Sequence, residues 1–450
     1  MSQPVSIRVA HGYERASEAI RRKGGLESLE LSEGARAGIQ RVFGEPLTAA
    51  QVVDRIIADV RERGDEAIRH YSREIDRVEL DRIEVPKSEW RAAFDSIDPE
   101  LQEAMTVAAR QIRSFHEKQK RTSWIDFGPD GALGQIVRPL ERIGVYAPGG
   151  SAVYPSSLLM TAVPGRVAGV EEIFVSSPPG PKGISPLILA AALVADVDRV
   201  FQIGGAQAIA ALAYGTESIP RVDKLFGPGN IFVVLAKRQV FGQVAIDQLP
   251  GPTETVVVAD ASADPRFTAA DMLAQAEHDA MASALLITTS ERLATLVQSE
   301  LAVQVTQLER ESIARESLAS NGLIAVVETV EEAIALANDY APEHLCLLLR
   351  EPWDAVPLVK HAGGIFVGES SPEALGDYVI GPSHVMPTGG TARFFSPIHV
   401  GDFTKVINLA GANDRTLNRL GPAAVALATA EGLGAHARAI ELRLEATRPD

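Results

Sequence analysis

The chain has 450 residues, of which 46% are hydrophobic and 23% charged, and its formal net charge is −16. This length allows two or three domains with sizeable cores, and the acidic balance disfavours non-specific binding to nucleic acid or to an anionic membrane surface. A single cysteine, Cys346, excludes an internal disulfide and a cysteine-based zinc site. Because no segment reaches the roughly 18 apolar residues of a membrane span and the first residues lack a signal-peptide pattern, we expect a cytoplasmic protein without membrane association.

Residues 1–138 are predicted to be mainly helical and to complete the first of two α/β units. Thr48 suits the N-cap of a helix that extends to about residue 71, with valines and isoleucines on one face. Asp98 and Pro99 form an N-cap and N1 pair for a second helix.

Residues 139–252 and then 253–395 alternate short apolar strands with longer helices, which is the βαβ pattern of an open, mostly parallel sheet. Residues 396–450 are predicted to be a helical dimerisation extension with a glycine break. The expected fold class is therefore α/β, with two tandem doubly wound, incomplete Rossmann-like units and helical N- and C-terminal extensions. The predicted strands are 143–147, 172–176, 199–203, 224–226, 253–260, 284–288, 323–327, 344–349 and 364–367.

Three glycine-rich loops follow predicted strands of the first unit: Tyr146-Ala-Pro-Gly-Gly150, Gly204-Gly-Ala-Gln207 and Gly227-Pro-Gly-Asn230. Glycine lets the backbone approach a ligand, and a helix N-terminus favours an anionic group such as phosphate. A tight turn would explain any one loop, whereas three at equivalent positions favour a nucleotide-type ligand. None matches G-x-G-x-x-G, so the loops themselves predict an anionic ligand rather than NAD specifically.

Two pairs of polar residues in the second unit suit metal binding and proton transfer. Gln275 and His278 are three apart in a predicted helix at 267–279 and would share one face. Taken alone, an exposed polar face explains them at least as well. Glu343 and His344 follow a proline in a loop and can share proton-transfer work. A surface glutamate beside a buried structural histidine is the alternative.

Two further stretches place a carboxylate and an imidazole at turns. Asp377 and His384 belong to a predicted loop, and Glu431 and His436 flank the glycine break in the C-terminal extension. A solvated polar turn explains each pair as well as a functional site does. Glutamine, histidine and aspartate are suitable zinc ligands. Spacing alone cannot show that residues this far apart in the chain meet, so a metal site remains open at this point.

As a set, the motifs closely resemble those of the histidinol dehydrogenase family, from about residue 140 to residue 436 and with flanking helices that fit the family pattern. They are Arg142-Ile-Gly-Val-Tyr-Ala-Pro-Gly-Gly150, Tyr154-Pro-Ser-Ser-Leu-Leu-Met160, Gly204-Gly-Ala-Gln207, Gly227-Pro-Gly-Asn230, Ala274-Gln-Ala-Glu-His-Asp279, Asn338-Asp-Tyr-Ala-Pro-Glu-His-Leu345, Leu375-Gly-Asp-Tyr378, His384-Val-Met-Pro-Thr388 and Glu431-Gly-Leu-Gly-Ala-His436.

The resemblance implies oxidation of L-histidinol to L-histidine through L-histidinal with two NAD, at the end of histidine biosynthesis. It also implies one zinc ion per subunit and a homodimer in which the C-terminal helices reach the neighbouring site. The residues carried over by motif are Glu343 and His344 as catalytic residues; Gln275, His278, Asp377 and His436 as zinc ligands; Tyr146, Gln207 and Asn230 as NAD contacts; and Thr253, Gln275, His278, His344, Asp377, His384, Glu431 and His436 as substrate contacts.

Two positions depart from the family pattern. Thr253 stands where a serine is common, and both residues carry a hydroxyl. Ser383 stands where an asparagine is common, and its shorter side chain could change a substrate contact. Relatives on this scaffold oxidise other primary alcohols to acids, including sulfopropanediol. Ser383 keeps such a substrate open as the alternative function.

Two rival interpretations come from other classes of mechanism. Cys346 could trap an aldehyde as a thiolate, but it lies in an apolar predicted strand, where burial raises the pKa of a thiol and lowers its reactivity. The chain could also be a zinc-binding or regulatory protein without turnover. The pair of Glu343 and His344 argues against this second rival, because a structural metal needs no acid–base pair beside it.

Overall fold

The computed structural model describes residues 5–22, 31–149 and 153–447 of the chain. Its strands form two six-stranded sheets and one three-stranded sheet. All nine strands predicted for the two α/β units are found, with ends shifted by at most two residues. The described strands are β1 Arg8–His11, β2 Glu84–Val85, β3 Trp124–Gly128, β4 Gly131–Pro139, β5 Arg142–Tyr146, β6 Glu172–Ser176, β7 Arg199–Phe201, β8 Lys224–Phe226, β9 Ala245–Ile246, β10 Glu254–Ala259, β11 Ser283–Thr288, β12 Leu323–Val326, β13 His344–Leu348, β14 Gly364–Val367 and β15 Thr404–Ala412.

Local capping sets several helix ends as expected. Thr48 caps its helix in a capping box with Gln51, and Asp98 caps the next long helix with Pro99 in its first turn. The helix predicted to reach residue 71 is divided at Gly64, whose φ is 53°. The described helices are α1 Tyr13–Ala19, α2 Glu33–Phe43, α3 Ala49–Arg63, α4 Asp65–Tyr71, α5 Lys87–Ser96, α6 Pro99–Glu117, α7 Pro155–Ala168, α8 Pro186–Val194, α9 Gly205–Tyr214, α10 Ile231–Val240, α11 Pro265–Ala276, α12 Glu291–Gln304, α13 Glu311–Asn321, α14 Val330–Tyr340, α15 Pro352–Ala355, α16 Glu373–Tyr378, α17 Asp414–Ala430 and α18 Gly434–Ala446.

The first six-stranded sheet has the order β2-β7-β6-β5-β8-β9 and is parallel except for β2. Its central strands are buried on both faces, with Ile143, Val145 and Ile173 at most 1% exposed. Continuous apolar strands are typical of parallel sheets that helices cover on both sides. Because β5, β7 and β8 are parallel, their carboxyl ends bring the three glycine-rich loops to one edge of the sheet.

The second six-stranded sheet has the order β1-β12-β11-β10-β13-β14 and is parallel throughout. Every residue of β10 is buried, and its neighbours β11 and β13 are equally apolar. The expected α/β class with mostly parallel sheets is therefore confirmed, and the presence of two such sheets is consistent with two tandem units. One expectation is wrong: β1 pairs with β12, so Arg8–His11 belongs to the second sheet and does not complete the first unit. The other domain boundaries stay predictions.

A third sheet joins two segments that lie far apart in the chain. It is antiparallel with the order β15-β4-β3, and Ile136 of β4 lies opposite Ile407 of β15. The C-terminal extension was expected to be helical, but it contains β15 before the predicted helices α17 and α18. Large apolar side chains of this sheet remain exposed, including Phe127 at 79% and Leu133 at 64%. Within the part of the chain that the structure describes, no helix is long and apolar enough to cross a membrane.

Candidate active site

A cavity of about 520 Å³ lies beyond the carboxyl ends of β5, β7 and β8, and Tyr146, Gln207 and Asn230 all line it. The Tyr146 hydroxyl accepts a hydrogen bond of 3.1 Å from the Gly205 N–H at the start of α9. Asn230 caps α10, and its Oδ1 accepts from two backbone N–H groups of the first turn. The cavity is of the size typical for small-molecule and cofactor sites. Gly150, which ends the first loop, lies outside the described residues.

A buried ion pair fixes the third glycine-rich loop, Gly227-Pro-Gly-Asn230. The Lys237 ammonium donates to the Gly227 carbonyl at 2.9 Å and to the Asp247 carboxylate, which accepts from the Gly227 N–H at 2.8 Å. Gly227 has a φ of 107°, and a Cβ there would overlap the Tyr146 carbonyl oxygen. The loop therefore requires glycine at this position, and its backbone groups are fixed before any ligand binds.

Asp76 also lines the cavity, although the sequence analysis did not select it. The buried Gln207 amide donates to the Asp76 carboxylate at 3.4 Å, and the Gln207 Oε1 has no partner among the described residues. Burial raises the pKa of Asp76 to about 6. Asp76 ends a π-helical segment at Ser72–Asp76, and no motif surrounds it, so only the fold reveals its position.

Glu343 and His344 are both buried at the start of β13, at 7% and 4% exposure. The Glu343 Oε2 accepts from the Thr253 hydroxyl and, at 3.1 Å, from the Glu254 N–H. The His344 Nδ1 donates to the Glu254 carbonyl at 3.2 Å, and its Nε2 lies 3.4 Å from the Asp377 carboxylate. Neither residue is a solvated surface group, and the backbone of β10 fixes both side chains.

Burial shifts the acid–base properties of this pair. Removal from water raises the pKa of Glu343 to about 7, despite the opposing effects of His344 and Thr253. Burial alone would lower the pKa of His344, but the carboxylates of Glu343, Glu373 and Asp377 outweigh it and raise that pKa to about 10. A cation held by Asp377 would weaken the effect of one of these carboxylates and bring the histidine nearer to its ordinary pKa.

Two of the four expected zinc ligands, His278 and Asp377, lie near each other and near His344. Asp377 lies close enough to His278 and His344 for their charges to lower its pKa, even though burial acts in the opposite direction. Gln275 is fully buried, and its Nε2 has no hydrogen-bond partner among the described residues. An unpaired buried amide beside an imidazole and a carboxylate fits a site for a cation.

The local structure at two of these ligands differs from the expectation. Helix α11 ends at Ala276, so His278 lies in the following turn and not on the helix. The His278 N–H still donates to the Gln275 carbonyl at 3.3 Å, which keeps the two residues adjacent. Asp377 lies on the short helix α16 and not in a loop. Its helical position places it four residues after Glu373, on the same side of α16.

The fourth expected ligand is elsewhere. His436 and Glu431 occupy exposed positions around the junction of α17 and α18, where Gly432 has a φ of 75°. Among the described residues, no group of three or more His, Cys, Asp and Glu side chains could hold a metal ion. The single chain therefore does not bring His436 to the other three expected ligands.

His384 connects the buried residues around His344 and Asp377 to the first unit. Its ring hydrogen-bonds the Asp377 carbonyl at 2.7 Å and the Ser157 hydroxyl, in the first turn of α7, at 2.9 Å. Ser383 is 1% exposed and donates to the Met160 carbonyl at 3.0 Å. Its hydroxyl is therefore directed into the protein, and the departure from asparagine does not present a different group to a substrate.

Two further polar residues beside the catalytic pair were not selected from the sequence. Glu373 is 2% exposed and accepts from the Thr255 hydroxyl, and burial raises its pKa to about 7. Arg22 forms an ion pair with Glu254 and donates to the Tyr340 carbonyl at 2.8 Å. The partners are far apart in the chain, so spacing gives no indication of these contacts.

Comparison with known proteins agrees with the motifs. A sequence model described as histidinol dehydrogenase matches residues 43–444. The histidinol dehydrogenase of Deinococcus radiodurans is 55% identical over 423 residues, which cover 93% of this chain and 96% of that protein. That of Dehalococcoides mccartyi is 48% identical, with 98% and 100% covered. The solved structure of histidinol dehydrogenase from Elizabethkingia anophelis superposes with a TM-score of 0.90 at 33% identity and covers 99% of each chain.

The similarity extends across both α/β units, the antiparallel sheet and most of the C-terminal helices. It includes the segments that carry the cavity and the buried acid–base pair. From this agreement of sequence, fold and site, the chain belongs to the histidinol dehydrogenase family.

Proposed function

We propose that the protein oxidises L-histidinol to L-histidine through L-histidinal, with two NAD and one zinc ion per subunit, in the last steps of histidine biosynthesis. The observation that carries the proposal is the buried pair of Glu343 and His344 beside Asp377, in a chain of this family. Such a pair, with pKa values shifted by burial and neighbouring charges, is typical of an acid–base site.

The residues present fit both cofactors. NAD would occupy the cavity lined by Tyr146, Gln207 and Asn230 and accept the hydride of each oxidation. Zinc would be held by Gln275, His278 and Asp377 and by His436 of the partner subunit, and would position the alcohol and polarise its oxygen.

His344 serves as the base for the alcohol proton. Its Nδ1 must carry a hydrogen, because its neighbour is the Glu254 carbonyl, which can only accept. The Nε2 is therefore the nitrogen that takes the proton when the alcohol is oxidised. The Asp377 carboxylate favours a proton on Nε2, and a cation bound to Asp377 would weaken this effect. The Nε2 would then be more readily available to accept the alcohol proton.

Glu343 serves as the base for water in the second oxidation. Both of its observed hydrogen bonds, from Thr253 and from the Glu254 N–H, fall on Oε2, so Oε1 is left to take a proton from water. The hydroxide so formed adds to the aldehyde carbon, and His344 returns the alcohol proton to the aldehyde oxygen, which gives a gem-diol and leaves Nε2 free to accept the next proton. Loss of a hydride from that carbon, with His344 taking the hydroxyl proton, produces the acid. Thr253 orients Glu343 here, in addition to its expected contact with the substrate.

The proposal requires a homodimer. Glu431 and His436 are exposed and belong to the only described helices that follow β15, where Leu427 at 66% and Leu442 at 49% are also exposed. Exposed apolar surface of this kind is typical of an interface with a second copy. Glu431 and His384 would contact the substrate from opposite subunits.

The deciding experiment measures NADH formed per L-histidinol consumed by the zinc-loaded protein at limiting substrate. We expect a ratio near two, as required by two hydride transfers per molecule, with histidine as the product. A ratio near one with accumulating aldehyde would contradict the second oxidation. Absence of NADH from histidinol but turnover of sulfopropanediol would favour the alternative substrate, for which Ser383 offers no structural support now that its hydroxyl is seen to bind Met160.

The same assay separates the two rivals. Cys346 is 1% exposed, and burial raises the pKa of its thiol, so the Cys346→Ser variant should retain both oxidations. Loss of the second oxidation in that variant would favour the thiol mechanism. Zinc binding without NADH from any primary alcohol would instead indicate a protein that binds metal without turnover.

A further inference from the structure

We propose that Glu373 and Thr255 fix the orientation of the Gln275 amide, so that its carbonyl oxygen, and not its NH₂ group, faces the zinc position. Glu373 is then a positioning residue for the metal site. The inference rests on the proposed function, since it concerns how one of the proposed zinc ligands is oriented.

The three side chains form one buried group. Thr255 and Gln275 are fully buried, and Glu373 is 2% exposed. The Thr255 Oγ1 lies 2.8 Å from Gln275 Oε1 and within hydrogen-bond distance of Glu373 Oε2. Each residue comes from a different element, β10, α11 and α16, so the contact exists only in the assembled second unit.

A count of protons shows that these contacts cannot all be donated by Thr255. A hydroxyl has one hydrogen, and Thr255 faces two acceptors, the Glu373 carboxylate and Gln275 Oε1. Above its pKa of about 7, Glu373 is an ionised carboxylate and the stronger acceptor, because charge-assisted hydrogen bonds are roughly twice as strong as neutral ones. Thr255 therefore donates to Glu373, and its lone pairs are available to a donor.

The same count identifies that donor. With Oε1 towards Thr255, the Gln275 Nε2 is buried without a partner among the described residues. A rotation of the amide by half a turn lets Nε2 donate to Thr255 Oγ1 and places Oε1 where the unpaired nitrogen was. The rotation gives Nε2 an acceptor and Thr255 a donor, and the unpaired end of the amide becomes a carbonyl oxygen, which is the atom of glutamine that binds zinc.

The hydrogen-bonded series of Glu373, Thr255 and Gln275, called the relay below, also connects two of the proposed zinc ligands to one helix. Asp377 is a proposed direct ligand on α16, and Glu373 begins the same helix one turn earlier. Helix α16 thus provides a ligand itself and, through Thr255, orients a second ligand on α11. Groups that orient metal ligands in this way typically change metal affinity by 10- to 100-fold when they are replaced.

The test measures zinc affinity of the full-length dimer by competition with a chromophoric chelator. We expect Glu373→Gln and Thr255→Val to weaken zinc binding by about 10- to 100-fold. The amide of Glu373→Gln carries no charge and lets the Thr255 proton return to Gln275, whereas Thr255→Val removes the hydroxyl at nearly constant shape. The conservative variant Thr255→Ser keeps the hydroxyl and should restore affinity close to that of the wild type.

Cys346→Ala provides the matched control, since its thiol lies 3.9 Å from the same Glu373 oxygen but takes no part in the relay. It should leave zinc affinity unchanged. Thermal unfolding of the metal-free variants shows whether each one folds. If Glu373→Gln does not fold, the comparison of Thr255→Val with Thr255→Ser decides.

Gln275→Ala separates this inference from the proposed function. If Gln275→Ala weakens zinc binding while Glu373→Gln and Thr255→Val bind like the wild type, the relay is wrong and the metal site stands. If Gln275→Ala also binds zinc like the wild type, Gln275 is not a ligand, and the proposed site fails together with the relay.

Discussion

The two α/β units differ in how much of a site each completes within one chain. In the first unit, Tyr146, Gln207 and Asn230 line one cavity, and Lys237 fixes its third loop from inside the same unit. In the second unit, the buried acid–base pair is complete, but His436 is exposed on a distant helix. In the proposed function, cofactor binding is then a property of the single fold, whereas the metal site depends on assembly of the dimer.

The largest expected effect is on turnover in a subunit complementation experiment, which tests whether His436 acts in the site of the partner subunit. Gln275→Ala and His436→Ala should each lower turnover by about 10³-fold, because loss of a ligand removes several kcal/mol of transition-state stabilisation. In a purified heterodimer of the two variants, one site combines an intact Gln275 with an intact partner His436. We expect about half of the wild-type activity per dimer, measured as NADH formed from histidinol.

The control heterodimer combines Gln275→Ala with His278→Ala. Both residues act within their own chain in the proposed site, so each of the two sites lacks one ligand and activity should stay low. No activity in the first heterodimer would show that His436 does not act across the dimer. Activity in the control would show that Gln275 and His278 do not serve the same site of their own chain.

The second expected effect concerns Glu343. Replacement by glutamine removes the base for water, so we expect the aldehyde step to slow by about 10²-fold and the NADH yield to fall from two towards one. Because burial raises the pKa of Glu343 to about 7, its base form increases as pH rises through 7. The rate of the aldehyde step, measured from added aldehyde, should therefore rise across pH 6–8 and then level off. A flat profile in the wild type would contradict this assignment.

The contrast between the units also shows what the sequence can reveal. Strand β10 reads as Glu-Thr-Val-Val-Val-Ala and is buried throughout, so its apolar run predicts a central parallel strand. Strands β3 and β15 are largely exposed in the single chain, so no apolar alternation indicates them. Strand β3 pairs with the adjacent β4, whereas β15 pairs with β4 across more than 200 residues. The sequence therefore reveals the second unit, whose strands are buried and apolar. It does not reveal the antiparallel sheet, whose strands are largely exposed.

The candidate site follows the same rule. Residues inside continuous motifs, such as His344 and Asp377, were selected from the sequence, and these two lie 3.4 Å apart in the structure. Glu373, Asp76 and Arg22 were missed because each acts through a contact with a residue at least 100 positions away. A buried carboxylate has no local signature, since composition and periodicity around it are those of an ordinary polar residue.

The Arg22 contact allows the second unit to be disturbed without touching the cofactor cavity. Arg22 pairs with the buried Glu254, whose backbone holds both Glu343 and His344. In Arg22→Ala the Glu254 carboxylate loses its partner, and we expect the free energy of unfolding to fall by about 3 kcal/mol. Denaturant unfolding measures this loss, and turnover should fall with NAD affinity unchanged.

A matched control is Arg73→Ala, which removes an exposed pair with Glu79 and should change stability by less than about 1 kcal/mol. Equal effects of the two substitutions would show that Arg22 is only a surface residue. A loss of NAD affinity in Arg22→Ala would show that the two units are less independent than their separate contacts indicate.

The smallest expected effect tests the first unit through Asp76. Burial raises the pKa of Asp76 to about 6, so the folded state binds its proton more tightly than the unfolded chain, where the pKa is near 4. The stability that this proton contributes is present below pH 4 and is lost as pH rises through 6. Asp76→Asn should therefore stabilise the metal- and NAD-free protein by about 1–2 kcal/mol at pH 8, after allowance for partial exposure, and by only about a third as much at pH 4.5. Denaturant unfolding at the two pH values measures the difference. A carboxylate that lowers the stability of the folded protein in this way is typical of a binding residue. Equal stability changes at both pH values would mean that Asp76 is well solvated and that the cavity does not constrain it.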